Sequence, residues 1–260
     1  MDLKAPESFS PSSLSQFASC PLAFRYSYIE RRPSPPQLPA TRGSIVHRAL
    51  ELLFNRNPQD RGIENCLKDL ELALSEYEKL PDLIDLDLDE KAYEQLVQDC
   101  KSLVNKYFEI ENPMTINPIG LEVKLQAQIS KTTIRGIIDR LEIGEQGELV
   151  VTDYKTGSAP RSDLEASKLS GVNLYALLCQ QIFGQLPSKV QLIYLTKPVI
   201  IISKPTDSII RGVQQRSNAI HTAVENACVK NDFRPNPSAL CSWCAFQKLC
   251  PQFGGKIPND

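Results

Sequence analysis

A change of period near the middle of the chain does most to limit what it can fold into. In Leu121-Glu-Val-Lys-Leu-Gln-Ala-Gln-Ile129, apolar and polar residues alternate strictly, as in a half-buried strand whose successive side chains face opposite ways. Upstream the spacing is helical. Helices are expected over Arg42–Asn55, 62–80 and 88–110, with the acidic stretch Asp82–Asp89 between the last two. Residues 56–112 read as an all-helical insertion. Downstream, strands are expected over Thr132–Ile143 and Glu148–Tyr154, joined by a hairpin-like Gly144-Glu-Gln-Gly147. A helix over 164–183 ends at Gly184, strands Lys189–Thr196 and Val199–Ser203 follow, and Asp207–Lys230 is a long last helix. This order implies an α/β fold. Near the N-terminus, Ser10-Pro11-Ser12 reads as a helix start, with Leu14, Phe17 and Ala18 apolar and Ser12 or Ser13 as cap. Residues 31–36, rich in proline, read as a stiff connector.

With 260 residues, 42% of them hydrophobic, the chain can bury a sizeable core as one domain spanning 1–260. No run approaches the roughly 20 apolar residues of a membrane span. Met1–Glu7 lacks the apolar stretch of a signal peptide, so no membrane partner and a cytoplasmic location are expected. The net charge of −2 hides a division. Residues 51–112 hold 7 Lys+Arg against 16 Asp+Glu, and the remainder is basic. A polyanionic partner therefore stays open.

The third strand, Leu149-Val-Val-Thr-Asp153-Tyr-Lys155-Thr-Gly157, starts apolar and ends in two opposite charges on one face, about 7 Å apart along the strand. A surface ion pair would explain that alone. The preceding strand, Ile134-Arg-Gly-Ile-Ile-Asp139-Arg-Leu141, carries a carboxylate within an apolar run. A hairpin around 144–147 brings Asp139 near Asp153. Carboxylates that close repel unless a cation lies between them, and a hard divalent ion is the common solution. Lys155 beside such an ion can orient water or stabilise charge on a phosphoryl group. Glu122 on the first strand can reach the same edge or remain solvated. His47 and Glu51, four residues apart, share a helix face with Ser44, Arg48 and Asn55, which is either a ligand stripe or a solvated one.

Eight cysteines in a reducing compartment do not imply four disulfides. Cys66, Cys100, Cys179 and Cys228 are isolated in helical stretches and read as small buried hydrophobes. Cys241, Cys244 and Cys250 form C-x2-C-x5-C, and Cys20, far away in sequence, is the candidate fourth thiolate. Four thiolates suit Zn²⁺ or a 4Fe–4S cluster, and spacing alone leaves both open. Trp243 and Phe246 in the same segment either pack over that site or stack on bases.

Taken in order, Gly43-x-x-x-His47-x-x-x-Glu51, Glu122, Gly136-Ile-Ile-Asp139-Arg and Asp153-Tyr-Lys155-Thr-Gly157, followed by a helix bearing Tyr175, resemble the RecB-like branch of the PD-(D/E)XK nucleases. The cysteine frame resembles that branch's iron–sulfur members, which include the AddB nuclease domain and the CRISPR-associated nucleases of spacer acquisition. The resemblance runs from about Ser10 to Pro251. It implies a restriction-endonuclease-like core, a central mixed sheet flanked by helices. A 4Fe–4S clip would join Cys20 to the 241–250 segment. It further implies that His47, Asp139, Asp153 and the Tyr154 carbonyl hold Mg²⁺ or Mn²⁺, that Lys155 assists water, that Glu122 is a supporting acid, and that Tyr175 contacts DNA or braces the site. Where the family has Gln four residues before the tyrosine, this chain has Gly171.

The resulting expectation is a metal-dependent DNA exonuclease acting on DNA ends, single-stranded ones included, in repair or recombination. Its products would carry a 5′-phosphate and a 3′-hydroxyl. Arg25, Arg42, Arg48, Arg135, Arg140 and Arg161 are candidate phosphate contacts. No G-x-x-x-x-G-K-[ST] occurs, so a helicase, recombination or adaptation partner would be a separate protein. The alternatives are a weakly cutting DNA-binding or assembly module and a zinc-stabilised interaction protein.

Overall fold

A computed structural model describes residues 3–144, 146–160 and 165–256. The helices are α1 Pro11–Ser19, α2 Pro21–Phe24, α3 Leu38–Phe54, α4 Ile63–Tyr77, α5 Pro81–Ile84 and α6 Glu90–Phe108. The strands β1 Pro118–Ile129, β2 Thr132–Ile143 and β3 Leu149–Lys155 come next. Helix α7 Glu165–Phe183, strands β4 Lys189–Tyr194 and β5 Val199–Ser203, and helix α8 Asp207–Lys230 complete the order. The five strands form one mixed sheet in sequence order. β3 is antiparallel to β2, parallel to β4 across the α7 connection, and β4 is antiparallel to β5. The expected α/β order holds.

Strand β4 ends at Tyr194 rather than Thr196 and α4 at Tyr77 rather than residue 80, and further differences lie at helix starts. The α1 cap is Ser10, whose hydroxyl accepts from the Ser13 amide while the Ser13 side chain accepts from the Ser10 amide. Pro11 explains the shift, because its fixed φ and missing N–H suit the first helical position. Helix α3 likewise begins at Leu38 rather than Arg42, with Pro39 in its first turn. The expected start of the 164–183 helix lies outside the described residues. Gly184, at φ +75°, follows its last turn, a left-handed conformation glycine adopts without penalty.

The chain forms two compact units. The larger comprises Pro36–Lys124 and Ile137–Pro205. In it, Ile45, Ala49, Leu50 and Leu53 of α3 share one core with α4 and α6, through residues such as Leu70, Leu96 and Val104, and with Tyr154 and Ile193 of the sheet. Helices α4 and α6, within the stretch read as an insertion, thus help form the core around the sheet. Cys66, Cys100 and Cys179 are buried free thiols, pushed up to about 12 by burial, so they stay protonated and behave as small hydrophobes.

The smaller unit comprises Met1–Pro35, Leu125–Gly136 and Thr206–Asp260. Phe9 pairs with Ile134 as an isolated bridge. Its ring is buried against Phe24 and His221 at centroid distances of 6.2 and 5.3 Å. Helix α8 buries Ile210, Val213, Val224 and Cys228 and ends at Asn231, whose φ is +49°.

Under the sheet of the larger unit lies a buried charge cluster. Arg140 has no solvent exposure. It donates to both carboxylate oxygens of Glu111 at 2.9 Å, to Glu142 at 2.9 and 3.1 Å, and to the Tyr154 hydroxyl at 2.6 Å. Its guanidinium also sits 4.7 Å from the Phe54 ring centroid. Arg140 is therefore no phosphate contact; it is enclosed and neutralised. Removing one member of a buried ion cluster strands the others without solvent. Arg140→Met is expected to destabilise the protein by about 3–5 kcal/mol in equilibrium denaturation. A variant within about 1 kcal/mol of the parent would refute that account.

Candidate functional site

Alternation along β3 sends consecutive side chains to opposite faces. Tyr154 points into the helical core, its ring 5.8 Å from Tyr107 and 5.9 Å from His47, edge-on to both. Asp153 and Lys155 point the other way and form an ion pair. Tyr175 of α7 donates to Asp153 Oδ1 at 3.5 Å. The Tyr154 amide donates to Asp139 Oδ2 at 2.7 Å, so the β3 backbone fixes the β2 carboxylate. His47 Nδ1 lies 3.5 Å from the same oxygen.

One nitrogen of His47 and one carboxylate oxygen each of Glu122 and Asp139 lie within 4.8 Å of one another. An imidazole and two carboxylates suit a hard divalent ion such as Mg²⁺ or Mn²⁺. Asp153 stands outside that group, with its Oδ2 on Lys155. Glu122, expected as a supporting acid, stands inside it. The backbone explains how it gets there. Glu122 has φ +48°, a conformation that L-residues other than Asn and Asp seldom adopt. Two residues earlier, a Cβ on Gly120 would meet Val123 Cγ2 at 2.5 Å. Strand β1 is irregular here, and such irregularities re-aim a side chain. Gly120 was the available sign of this in the sequence.

The protonation pattern follows from burial and from crowding. Burial and the Asp139 charge push the Glu122 carboxyl up to about 7. Burial also raises Asp153, with Lys155 opposing and Asp139 reinforcing. For His47, burial disfavours the imidazolium, but Asp139 and Asp153 outweigh it and the pKa rises. Lys155 follows the same balance: burial lowers it, and the Asp153 and Asp139 charges raise it further. It stays an ammonium at neutral pH.

Two glycines bear on the site. A Cβ on Gly43 would lie 2.8 Å from Thr156 Oγ1, so the absence of a side chain lets α3 approach the segment after Lys155. A Cβ on Gly171 meets nothing within 4 Å. The remaining candidate arginines fare unevenly. Arg42 pairs with Asp99 at 3.0 Å, and Arg48 pairs with Glu51 and Glu76, both at 2.8 Å. Arg25 is buried and pairs with Glu30 and Asn231. These three are committed within the protein. Arg135 is exposed, and Arg161 lies outside the described residues.

In the smaller unit, Cys20, Cys241, Cys244 and Cys250 line one pocket, together with Leu22, Tyr26 and Phe246. All four are free and half-buried. Burial raises the Cys244 thiol, and the charges of Cys20, Cys241 and Cys250 add to that. The two aromatics of the segment part company. Phe246 is buried, 5.3 Å from the Tyr26 ring, and Trp243 is 78% exposed.

A sequence model of the PD-(D/E)XK nuclease superfamily matches residues 8–251. The Gene 69 protein of Mycobacterium phage L5 is 26% identical over 137 residues, which is 52% of this chain and 45% of that protein. The chain thus matches less than half the length of that relative. A candidate exonuclease of Eubacterium rectale has a solved structure that aligns over 91% of this chain and 92% of its own, at 13% identity and TM-score 0.57. That likeness concerns the fold. The solved structure of SSO0001 aligns over 96% of this chain and 88% of its own, at 14% identity and TM-score 0.47.

Protons compete with a metal ion for Glu122 and His47. Both groups titrate above their ordinary values, so both are free of protons only as the pH rises through those raised values. Affinity for Mn²⁺ is therefore expected to climb between roughly pH 6 and 8, with proton release on binding. Calorimetry in two buffers of different ionisation enthalpy measures this. Equal affinity across that range would contradict it.

Proposed function

Because the chain belongs to the PD-(D/E)XK nuclease superfamily, we propose that it is a divalent-metal-dependent deoxyribonuclease working from DNA ends in repair or recombination. The observation that carries this reading is the grouping of His47, Glu122 and Asp139 within 4.8 Å beside the Asp153–Lys155 pair. His47, Glu122 and Asp139 would hold the ion, with Asp153 and the Tyr154 carbonyl completing the set that the family resemblance suggests. A divalent ion there supplies Lewis-acid polarisation of a phosphoryl oxygen and lowers the pKa of water. Asp153 keeps Lys155 protonated, so its ammonium can donate to the attacking water and to the phosphoryl oxygens as charge builds on them. Tyr175 holds Asp153 in place from α7. The tautomer and orientation of His47 follow from its contact with Asp139.

The four thiols are read as ligands of a 4Fe–4S cluster that clips the N-terminal helices to the 241–250 segment. Their shared pocket supports this. Among the described residues, no helix is long and apolar enough to cross a membrane. The reading is of a cytoplasmic enzyme, and any helicase or adaptation partner is a separate chain.

Gly171 favours a second reading, a module that binds DNA and cuts weakly, because no side chain reaches out where the family has Gln. Cleavage of end-labelled single- and double-stranded DNA with Mg²⁺ or Mn²⁺, under anaerobic conditions, separates the two. Lys155→Ala is expected to lower the rate by about 10²–10³-fold with DNA binding retained. Wild-type protein that binds these DNAs and leaves them intact would establish the second reading instead. For the cluster, anaerobically purified protein is expected to be brown, with iron and acid-labile sulfide, and Cys20→Ser to lose both. Colourless protein containing zinc would refute the cluster.

A further inference from the structure

We propose that the smaller unit carries a docking surface for single-stranded nucleic acid, in which Trp243 stacks on a base. The first observation is exposure. Trp243, the only tryptophan of the chain, leaves most of its surface in water, and Leu240 beside it is 71% exposed. An indole on a turn between two pocket-lining cysteines has its position set by its neighbours. Most of the indole faces water there, whereas Phe246, three residues on, is buried.

Charge is the second observation, and it selects the partner. The smaller unit contains 12 Lys+Arg against 7 Asp+Glu, whereas the larger contains 17 against 24. From Phe233 to Lys256 there is no acidic residue. Within that stretch Arg234 pairs with Asp232, and Lys248 and Lys256 are exposed. Bases stack on exposed indoles whatever their identity, and a surrounding positive field holds the phosphates. An apolar protein partner would use Trp243 and Leu240 but would gain nothing from the surplus of positive charge. Along a duplex the bases are stacked on one another, and only the terminal pair has a free face for an indole. The combination fits a single strand.

The occupant rests on the nuclease reading, while the place rests on the unit's own exposure and charge. The test uses the full chain with a labelled thymidine oligonucleotide, without Mg²⁺, and follows anisotropy and tryptophan emission together. Trp243→Ala is expected to weaken binding about 5- to 100-fold, and Trp243→Phe to restore most of it. An abasic oligonucleotide of equal length should bind wild type as weakly as the thymidine strand binds Trp243→Ala, and the variant should not distinguish the two. Emission from Trp243 should change as the strand binds. With Mg²⁺, Trp243→Ala should raise KM and leave kcat alone. Trp243→Ala binding within about two-fold of wild type, or wild-type tryptophan emission unmoved by the strand, would overturn the proposal. Failure of the nuclease reading looks different: stacking and emission changes persist and no strand is cut.

Discussion

A guanidinium without access to water holds the central strands in place. Arg140 lies where β2 meets β3 and satisfies two carboxylates, Glu111 and Glu142, and the Tyr154 hydroxyl. Desolvating three charges is expensive, and it is tolerated only when nearly every donor and acceptor is matched. Gln191 of β4 adds to the matching by donating to Thr152 at 2.7 Å. The network therefore ties three adjacent strands to the residues just after α6. Alternation does the rest. With Arg140 and Tyr154 locked toward the helices, Asp139 and Asp153 have to emerge on the other face. A register slip of one residue would send the acids toward the helical core and carry the guanidinium to the opposite face, away from Glu111.

That arrangement crowds negative charge, and the crowding gives the site its character. Glu122, Asp139 and Asp153 cannot all ionise at close range without a counter-charge. Lys155 forms its ion pair with Asp153. Burial together with the remaining excess raises the Glu122 carboxyl, and the excess raises the His47 imidazole against its burial. Protons are the default counter-ions there, and a divalent ion neutralises the same charge with better geometry. The strained backbone at Glu122 has the same origin: a regular strand would not aim this carboxylate at the others.

Much of this could be read from the sequence, for a definable reason. Strand period is local, so β2 and β5 are found at their expected ends, and the Asp153–Lys155 pair follows from counting by twos. Gly43, His47, Asp139 and Lys155 stand out because their order and spacing match the family's motifs. What was hidden depends on partners far away in the chain. Nothing around Arg140 announces that Glu111, 29 residues earlier, will enclose it. Arg42 and Arg48 look available until Asp99 and Glu76 arrive from other helices. Trp243 and Phe246 have similar surroundings in sequence, and only the turn between them sends one inward and leaves the other in water.

A site rich in carboxylates meets a difficulty when its substrate is a polyanion. The charge that holds a divalent ion also repels phosphate, and basic residues placed among the acids would be spent on pairing with them. Arg48, Arg42 and Arg56 illustrate this, each paired with acids of the same unit. Attraction for a nucleic acid then has to come from residues with few acids nearby. The division of the chain has that form: the larger unit carries the acidic excess and the smaller one the basic excess. Under the proposed function, segregated charge would let one part of the chain collect a cation while another collects an anion, without either task neutralising the other.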